Sequence, residues 1–313
     1  MSNPISAILA RQPVLILDGA LATELEKRGA DLADPLWSAR VLIEQPALIQ
    51  QGHHDYFLAG ADVATTASYQ ATFEGFARRG FDAVQSAVLM RRSVELAVAA
   101  RDAFWAAHAG ERGRAQPLVA ASVGPYGAML ANGAEYRGQY GLSEDELMAF
   151  HRERIRVLLA AGADCLACET IPSRVEARAI ARLLASEFPG ACAWLSFSCC
   201  DDAHICEGDE FAESVAELDA FPQIAAIGLN CTSPRHAAAL LQAARPATSK
   251  PLLAYPNSGE QYDPASKQWS GTAEPETFAA AARTWQAAGA TLIGGCCRTT
   301  PADICAISDW ARA

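Results

Sequence analysis

Eight short apolar runs recur along the chain: VLILD (14–18), DVATT (62–66), LVAAS (118–122), DCLAC (164–168), AWLSFS (193–198), IAAIGL (224–229), LLAY (252–255) and TLIGG (291–295). Each is nearly all apolar rather than alternating, the pattern of a parallel strand covered on both faces. Between them lie stretches whose spacing predicts helices, among them residues 82–108, 144–162 and 275–289. Three joints nearly repeat: AGADVATT from Ala59, AGADCLAC from Ala161 and AAGATLIG from Ala287. In each, a glycine (Gly60, Gly162, Gly289) stands where a helix needs a left-handed residue after its last turn, and a strand follows at once. Buried strands alternating with helices predict an α/β fold, a (β/α)8 TIM barrel, with residues 1–313 as one domain. A doubly wound open sheet is the alternative, but LDGALATEL after the first run lacks the GxGxxG of a dinucleotide site.

Composition narrows the function. A formal charge of −11 argues against nucleic acid and against anionic membrane surfaces, and mildly favours a cationic small substrate. The N-terminal apolar run Val14–Leu17 is too short to export or span, so a cytoplasmic location is expected. Ten cysteines in such a chain are expected to be free thiols or metal ligands rather than disulfides. No long C-terminal arm suggests obligate pairing, and a monomer is expected.

In a barrel the chemistry gathers at the C-terminal strand ends. Those ends offer Asp18-Gly19, Thr66 to Gln70, Ser122 to Gly127, Glu169-Thr170, Cys199-Cys200, Asn230-Cys231, Tyr255 to Glu260 and Cys296-Cys297, with no histidine. A thiolate-rich metal site fits this set better than a histidine-based one. Cys165 and Cys168 lie three apart in one strand, on opposite faces, and read as core thiols. Cys192, Cys206 and Cys305 are isolated. Two vicinal pairs and Cys231 remain, and three thiolates bind Zn²⁺ with a fourth position open, the mark of a catalytic site. Gly294 and Gly295 before Cys296-Cys297 remove bulk and let the backbone bend, which favours that pair over Cys199-Cys200. Buried thiols with no metal are the competing interpretation.

The motifs LILDGALATELEKRG, TTASYQAT, SVGPYGA, EYRG, CETIPS, GLNC, YPNSGE and IGGCCRTTP follow one another across almost the whole chain. Together they closely resemble the homocysteine S-methyltransferases, in particular the bacterial and plant branch that uses S-methylmethionine. The resemblance implies a (β/α)8 barrel, Zn²⁺ held by Cys231, Cys296 and Cys297, and two partners, L-homocysteine and a sulfonium methyl donor. It implies that Asp18 and Glu169 hold the homocysteine ammonium, that amides around Gly19 and Ala20 lie near its carboxylate, and that Asn230 lies beside the ligands. In the betaine-using branch a tyrosine after the glutamate can fill the vacant zinc position. Here that residue is Thr170, so another group must complete the resting shell.

For the donor side, Tyr69, Gln70, Tyr126, Tyr136, Tyr255 and Trp269 lie in or beside the loops, and aromatic faces suit a sulfonium cation. Packing of the loops is the alternative for each. S-adenosylmethionine as donor, selenohomocysteine or another small thiol as acceptor, and a non-enzymatic zinc or redox protein are the rival functions. His53, His54, His151 and His204 read as structural, and RERIR (152–156) as a solvated helix face.

Overall fold

The computed structural model describes residues 3–30, 38–109, 114–263, 268–270 and 275–313. Eight strands run parallel: β1 (Leu15–Ile16), β2 (Val63–Thr65), β3 (Leu118–Val123), β4 (Cys165–Ile171), β5 (Ala193–Phe197), β6 (Ile224–Asn230), β7 (Leu252–Tyr255) and β8 (Ala290–Ile293). Each pairs with its neighbour in sequence, and β1 pairs with β8. A parallel bridge between Leu17 and Val63 joins β1 to β2 and closes the ring. This is the (β/α)8 barrel that the apolar runs predict. The open sheet is excluded, because its edge strands would be unpaired.

The strand interiors explain the uninterrupted apolar runs. Leu15, Leu17, Val63, Trp194, Leu253 and Leu292 pack inside the barrel, while Ile16, Val119, Leu166, Leu195 and Ile227 pack outward against the helices. Each fully buried aliphatic side chain contributes about 1.5–3 kcal/mol, so both faces of a strand reward apolar residues. Cys165 joins the inner cluster and Cys168 the outer one, on opposite faces as expected. A helix at Pro4–Leu9, not anticipated from the sequence, sends Ile5 and Ile8 into the inner cluster.

The helices begin and end where local chemistry dictates. Asp82 opens Ala83–His108, and Ser143 opens Glu144–Ala160, each with a reciprocal capping box. Gly60, Gly162 and Gly289 have φ of 107°, 95° and 110°, the left-handed turn that returns each helix to a strand. Among the described residues no helix is long and apolar enough to cross a membrane.

One surface assignment is corrected. Within RERIR, Arg154 is buried and donates to the carbonyls of Gly124 (2.9 Å), Ser68 (3.2 Å) and Tyr69 (3.0 Å). The carbonyls belong to the loops after β2 and β3, which would otherwise leave buried acceptors unpaired. His53 is buried with neither ring nitrogen hydrogen-bonded, and burial lowers its pKa to about 4, in keeping with a structural role.

Candidate metal and substrate site

Three loops meet at the C-terminal end of the barrel. Cys231 follows β6, and Cys296 and Cys297 follow β8. Their sulfurs all lie within 4.8 Å of one another, with Cys231 Sγ and Cys297 Sγ 3.4 Å apart. Among the described residues this is the one such group of potential ligands. The loops are tied together by main-chain bonds: the Cys231 amide donates to the Tyr255 carbonyl (3.3 Å), Cys296 to Pro256 (2.8 Å), and Ser258 to Cys297 (3.0 Å). Cys231 takes a left-handed φ of 49° and Arg298 one of 69°, conformations that cost non-glycine residues energy and concentrate at functional sites. Hydrogen bonds among the three sulfurs act in both directions, and with burial the net effect holds all three thiols well above the ordinary cysteine range.

Gly294 and Gly295 serve the pair by their lack of bulk, as expected, and not by a left-handed bend. Neither adopts a left-handed φ. They are glycines because there is no room: a Cβ on Gly294 would meet Leu17 Cβ at 2.6 Å and the Asp18 carbonyl at 2.8 Å, and one on Gly295 would meet Thr299 Oγ1 at 2.3 Å. Close approach of β8 to the end of β1 is what carries the two cysteines over the barrel mouth. The other vicinal pair stays apart: Cys199 is buried with its amide on Thr232 Oγ1 (3.0 Å), and Cys200 is exposed.

Two carboxylates accompany the sulfurs. Asp18, 4% exposed, accepts from the Thr65 amide (2.7 Å) and hydroxyl (2.9 Å). Burial raises its pKa to about 8 in spite of those bonds, and the nearby charge of Glu169 adds to the rise. Glu169, 8% exposed, accepts from Ser122 Oγ, and burial lifts it to about 7 against hydrogen bonds from Ser122 and Tyr255. Two buried acids at one rim, both pushed up by burial, mark this end of the barrel as a candidate binding site. Glu169 and Thr170 lie within β4, which extends to Ile171, rather than after it. Pairing with β5 shifts register between Cys168 and Ile171, and Thr170 takes φ 60° there. This bulge re-aims the strand end.

Asn230 knits the parts together. Its Oδ1 accepts from the Thr170 amide (2.7 Å) and Ser196 Oγ (2.8 Å), while Nδ2 donates to Thr170 Oγ1 (2.8 Å) and lies 3.8 Å from Cys296 Sγ. Tyr136, on the turn Ala134–Tyr136 after β3, brings its hydroxyl to 3.0 Å from Cys231 Sγ.

Other candidates fall elsewhere. The Ala20 amide, expected to face a carboxylate, donates to Thr299 O (3.3 Å) and Oγ1 (3.2 Å), because the segment after Cys297 packs across Gly19. Tyr255 is an interior residue rather than a donor-loop one: it is buried against Glu169, its hydroxyl accepts from Trp194 Nε1 (3.0 Å) and pairs with Ser196 Oγ (2.6 Å). Tyr126 packs against Tyr140 and Phe150, with ring centroids 5.3 and 5.1 Å away, and its amide donates to Glu176. Tyr69 does border the site, since burial first, and then the charges of Glu135 and Cys231, raise its phenol well above the usual range. Gln70 Nε2 donates to the Ala128 carbonyl (3.2 Å). Trp269 lies on a short hairpin whose side chains are outside the described residues.

The comparisons with known proteins agree with this geometry. The family model described as homocysteine S-methyltransferase matches residues 15–311. The homocysteine S-methyltransferase YbgG of Bacillus subtilis is 55% identical over 99% of this chain and 98% of its own. The homocysteine S-methyltransferase of Escherichia coli is 53% identical over 98% of each. The crystal structure of the E. coli homocysteine methyltransferase MmuM in its metallated form superposes with a TM-score of 0.89 at 50% identity, covering 99% of this chain and 100% of that one. The chain belongs to the homocysteine S-methyltransferase family.

Proposed function

We propose that this enzyme transfers a methyl group from S-methylmethionine to L-homocysteine, with Zn²⁺ held by Cys231, Cys296 and Cys297. The observation that carries the reading is the convergence of three sulfurs within 4.8 Å at the same barrel mouth as two buried carboxylates. The donor set fits the ion: three soft thiols suit zinc and leave its fourth position for a substrate sulfur. When bound there, zinc supplies the Lewis acidity that lets a thiol ionise at neutral pH.

The chain's own residues do the rest. Asp18 and Glu169 receive the homocysteine ammonium, which replaces the water their burial excludes and draws both acids into their ionised forms. Asn230 holds Thr170 and the end of β4 in register with Cys296, fixing the distance between the ammonium pocket and the sulfurs. In the reaction the homocysteine sulfur forms a new bond to the methyl carbon as the bond from that carbon to the donor sulfur breaks. The breaking pair stays on the donor sulfur and neutralises the sulfonium, and the thiol proton leaves to solvent. Both products are methionine. Three thiolates on a divalent ion would leave the site with net negative charge, which would favour a cationic donor, and positioning accounts for the remaining rate.

The test compares donors on one preparation: purified chain with homocysteine and either S-methylmethionine or S-adenosylmethionine. Higher kcat/KM with S-methylmethionine is expected. Turnover confined to S-adenosylmethionine would overturn the donor assignment.

A further inference from the structure

The turn Ala134–Tyr136 has no role in the proposed reaction so far, yet it is fastened over the barrel mouth. Ser198 Oγ donates to the Glu135 carbonyl (2.9 Å), and the Tyr136 hydroxyl reaches Cys231 Sγ (3.0 Å). Gly127 packs so tightly beneath the turn that a Cβ there would meet Ala134 C and Glu135 N at 2.6 Å. The next residue, Ala128, takes the Gln70 Nε2 bond. Gln70, Gly127-Ala128 and Glu135 therefore form one continuous wall beside Tyr69.

Two atoms of this wall are closed off from solvent and have no hydrogen-bond partner: Gln70 Oε1 and Glu135 Oε2. The Nε2 bond to Ala128 fixes which end of the Gln70 amide is left over. Both orphans are acceptors, and one belongs to a carboxyl whose burial raises its pKa. Arg137, the cation nearest in sequence, is exposed and donates to the Asn132 carbonyl (3.2 Å), and its charge only partly offsets the rise that burial imposes on Glu135. Tyr140 also has an unpartnered hydroxyl, which lies against Gly127 in the same wall but is bonded to neither orphan. Unpaired buried acceptors are costly unless a ligand supplies donors. A sulfonium has no N–H to give, whereas an ammonium has three.

We infer that Glu135, assisted by Gln70, binds the ammonium group of the methyl donor, which makes the site selective for amino-acid sulfonium compounds. The inference rests on the proposed use of S-methylmethionine. It gives the enzyme two separate ammonium pockets, Asp18 with Glu169 for the acceptor and Glu135 with Gln70 for the donor.

The experiment is steady-state kinetics of Glu135→Gln, varying each substrate in turn, with zinc measured on the same protein and S-methylmethionine binding followed by calorimetry. The expected result is a donor KM raised about 10- to 100-fold, with matching weakening of donor binding and unchanged homocysteine KM and zinc content. Gln70→Ala, which changes no charge, is the second variant and should raise the same KM by about 3- to 10-fold. An unchanged donor KM in both variants, or equal losses for donor and homocysteine, would overturn the inference. Wild-type protein inert toward S-methylmethionine would instead refute the donor reading itself, before any variant is compared.

Discussion

Asp18→Asn should make the substrate-free protein more stable and the enzyme worse. Asp18 has an ordinary carboxyl pKa of 3.8 when unfolded and about 8 when folded. Because the folded value is the higher one, the contribution is full below pH 4 and is lost as pH rises towards 8. At pH 7 the unfolded chain gains about three units' worth of ionisation that the folded chain cannot, roughly 4 kcal/mol as an upper bound. Asparagine has no such term. It can keep both Thr65 contacts, accepting from the amide through Oδ1 and donating to the hydroxyl. A realised gain of about 1–3 kcal/mol at pH 7, roughly 2–5 °C in Tm, is expected. The assay is urea unfolding of zinc-loaded wild type and variant at pH 5, 7 and 8.5, without substrate. The gap between them should widen with pH. Calorimetric titration with homocysteine should show affinity falling about 10- to 100-fold, the loss of a charge-assisted bond. A variant less stable than wild type at pH 7, or one that binds homocysteine normally, would refute the reasoning.

Four further substitutions probe separate parts of the structure. Cys297→Ser should lose bound zinc and methyl transfer while keeping wild-type circular dichroism, whereas Cys200→Ser, at an exposed position, should keep both; metal analysis decides. Arg154→Leu leaves the Gly124, Ser68 and Tyr69 carbonyls without their donor, and should cost about 3–5 kcal/mol in denaturant unfolding and lower kcat/KM for the donor. Gly294→Ala forces a methyl against Leu17 and the Asp18 carbonyl and should cost about 1–3 kcal/mol, with the homocysteine KM raised as Asp18 shifts.

The strands could be read from the sequence because both of their faces are buried, so each appears as an apolar block, three of them preceded by a glycine turn. A barrel gathers its strand ends at one rim, which narrowed the thiols to Cys231 and two vicinal pairs, and the family resemblance singled out Cys296 and Cys297. What escaped the sequence depends on neighbours distant in the chain. Thr170 sits at a bulge that only the pairing of β4 with β5 reveals, and the Ala20 amide is taken by Thr299 from the far end of the chain. Tyr255 ends a strand like a loop residue, yet its ring turns inward to Trp194. Arg154 did leave a signal: it shares the buried stripe of Leu147, His151, Ile155 and Leu158, where a solvated arginine has no place. No spacing rule links Tyr136 to Cys231, since an irregular turn sets that contact.

The central claim is that the three-cysteine site holds zinc and thereby serves methyl transfer from S-methylmethionine to homocysteine. Its most direct test uses S-methylmethionine carrying a ¹³C label on both sulfonium methyls, with protein stripped of metal by chelator and then titrated with zinc. Activity should rise linearly and level off at one zinc per chain, with one labelled methyl reaching homocysteine per turnover and the other retained in the methionine that leaves. Full methyl transfer by protein shown to be zinc-free would contradict it.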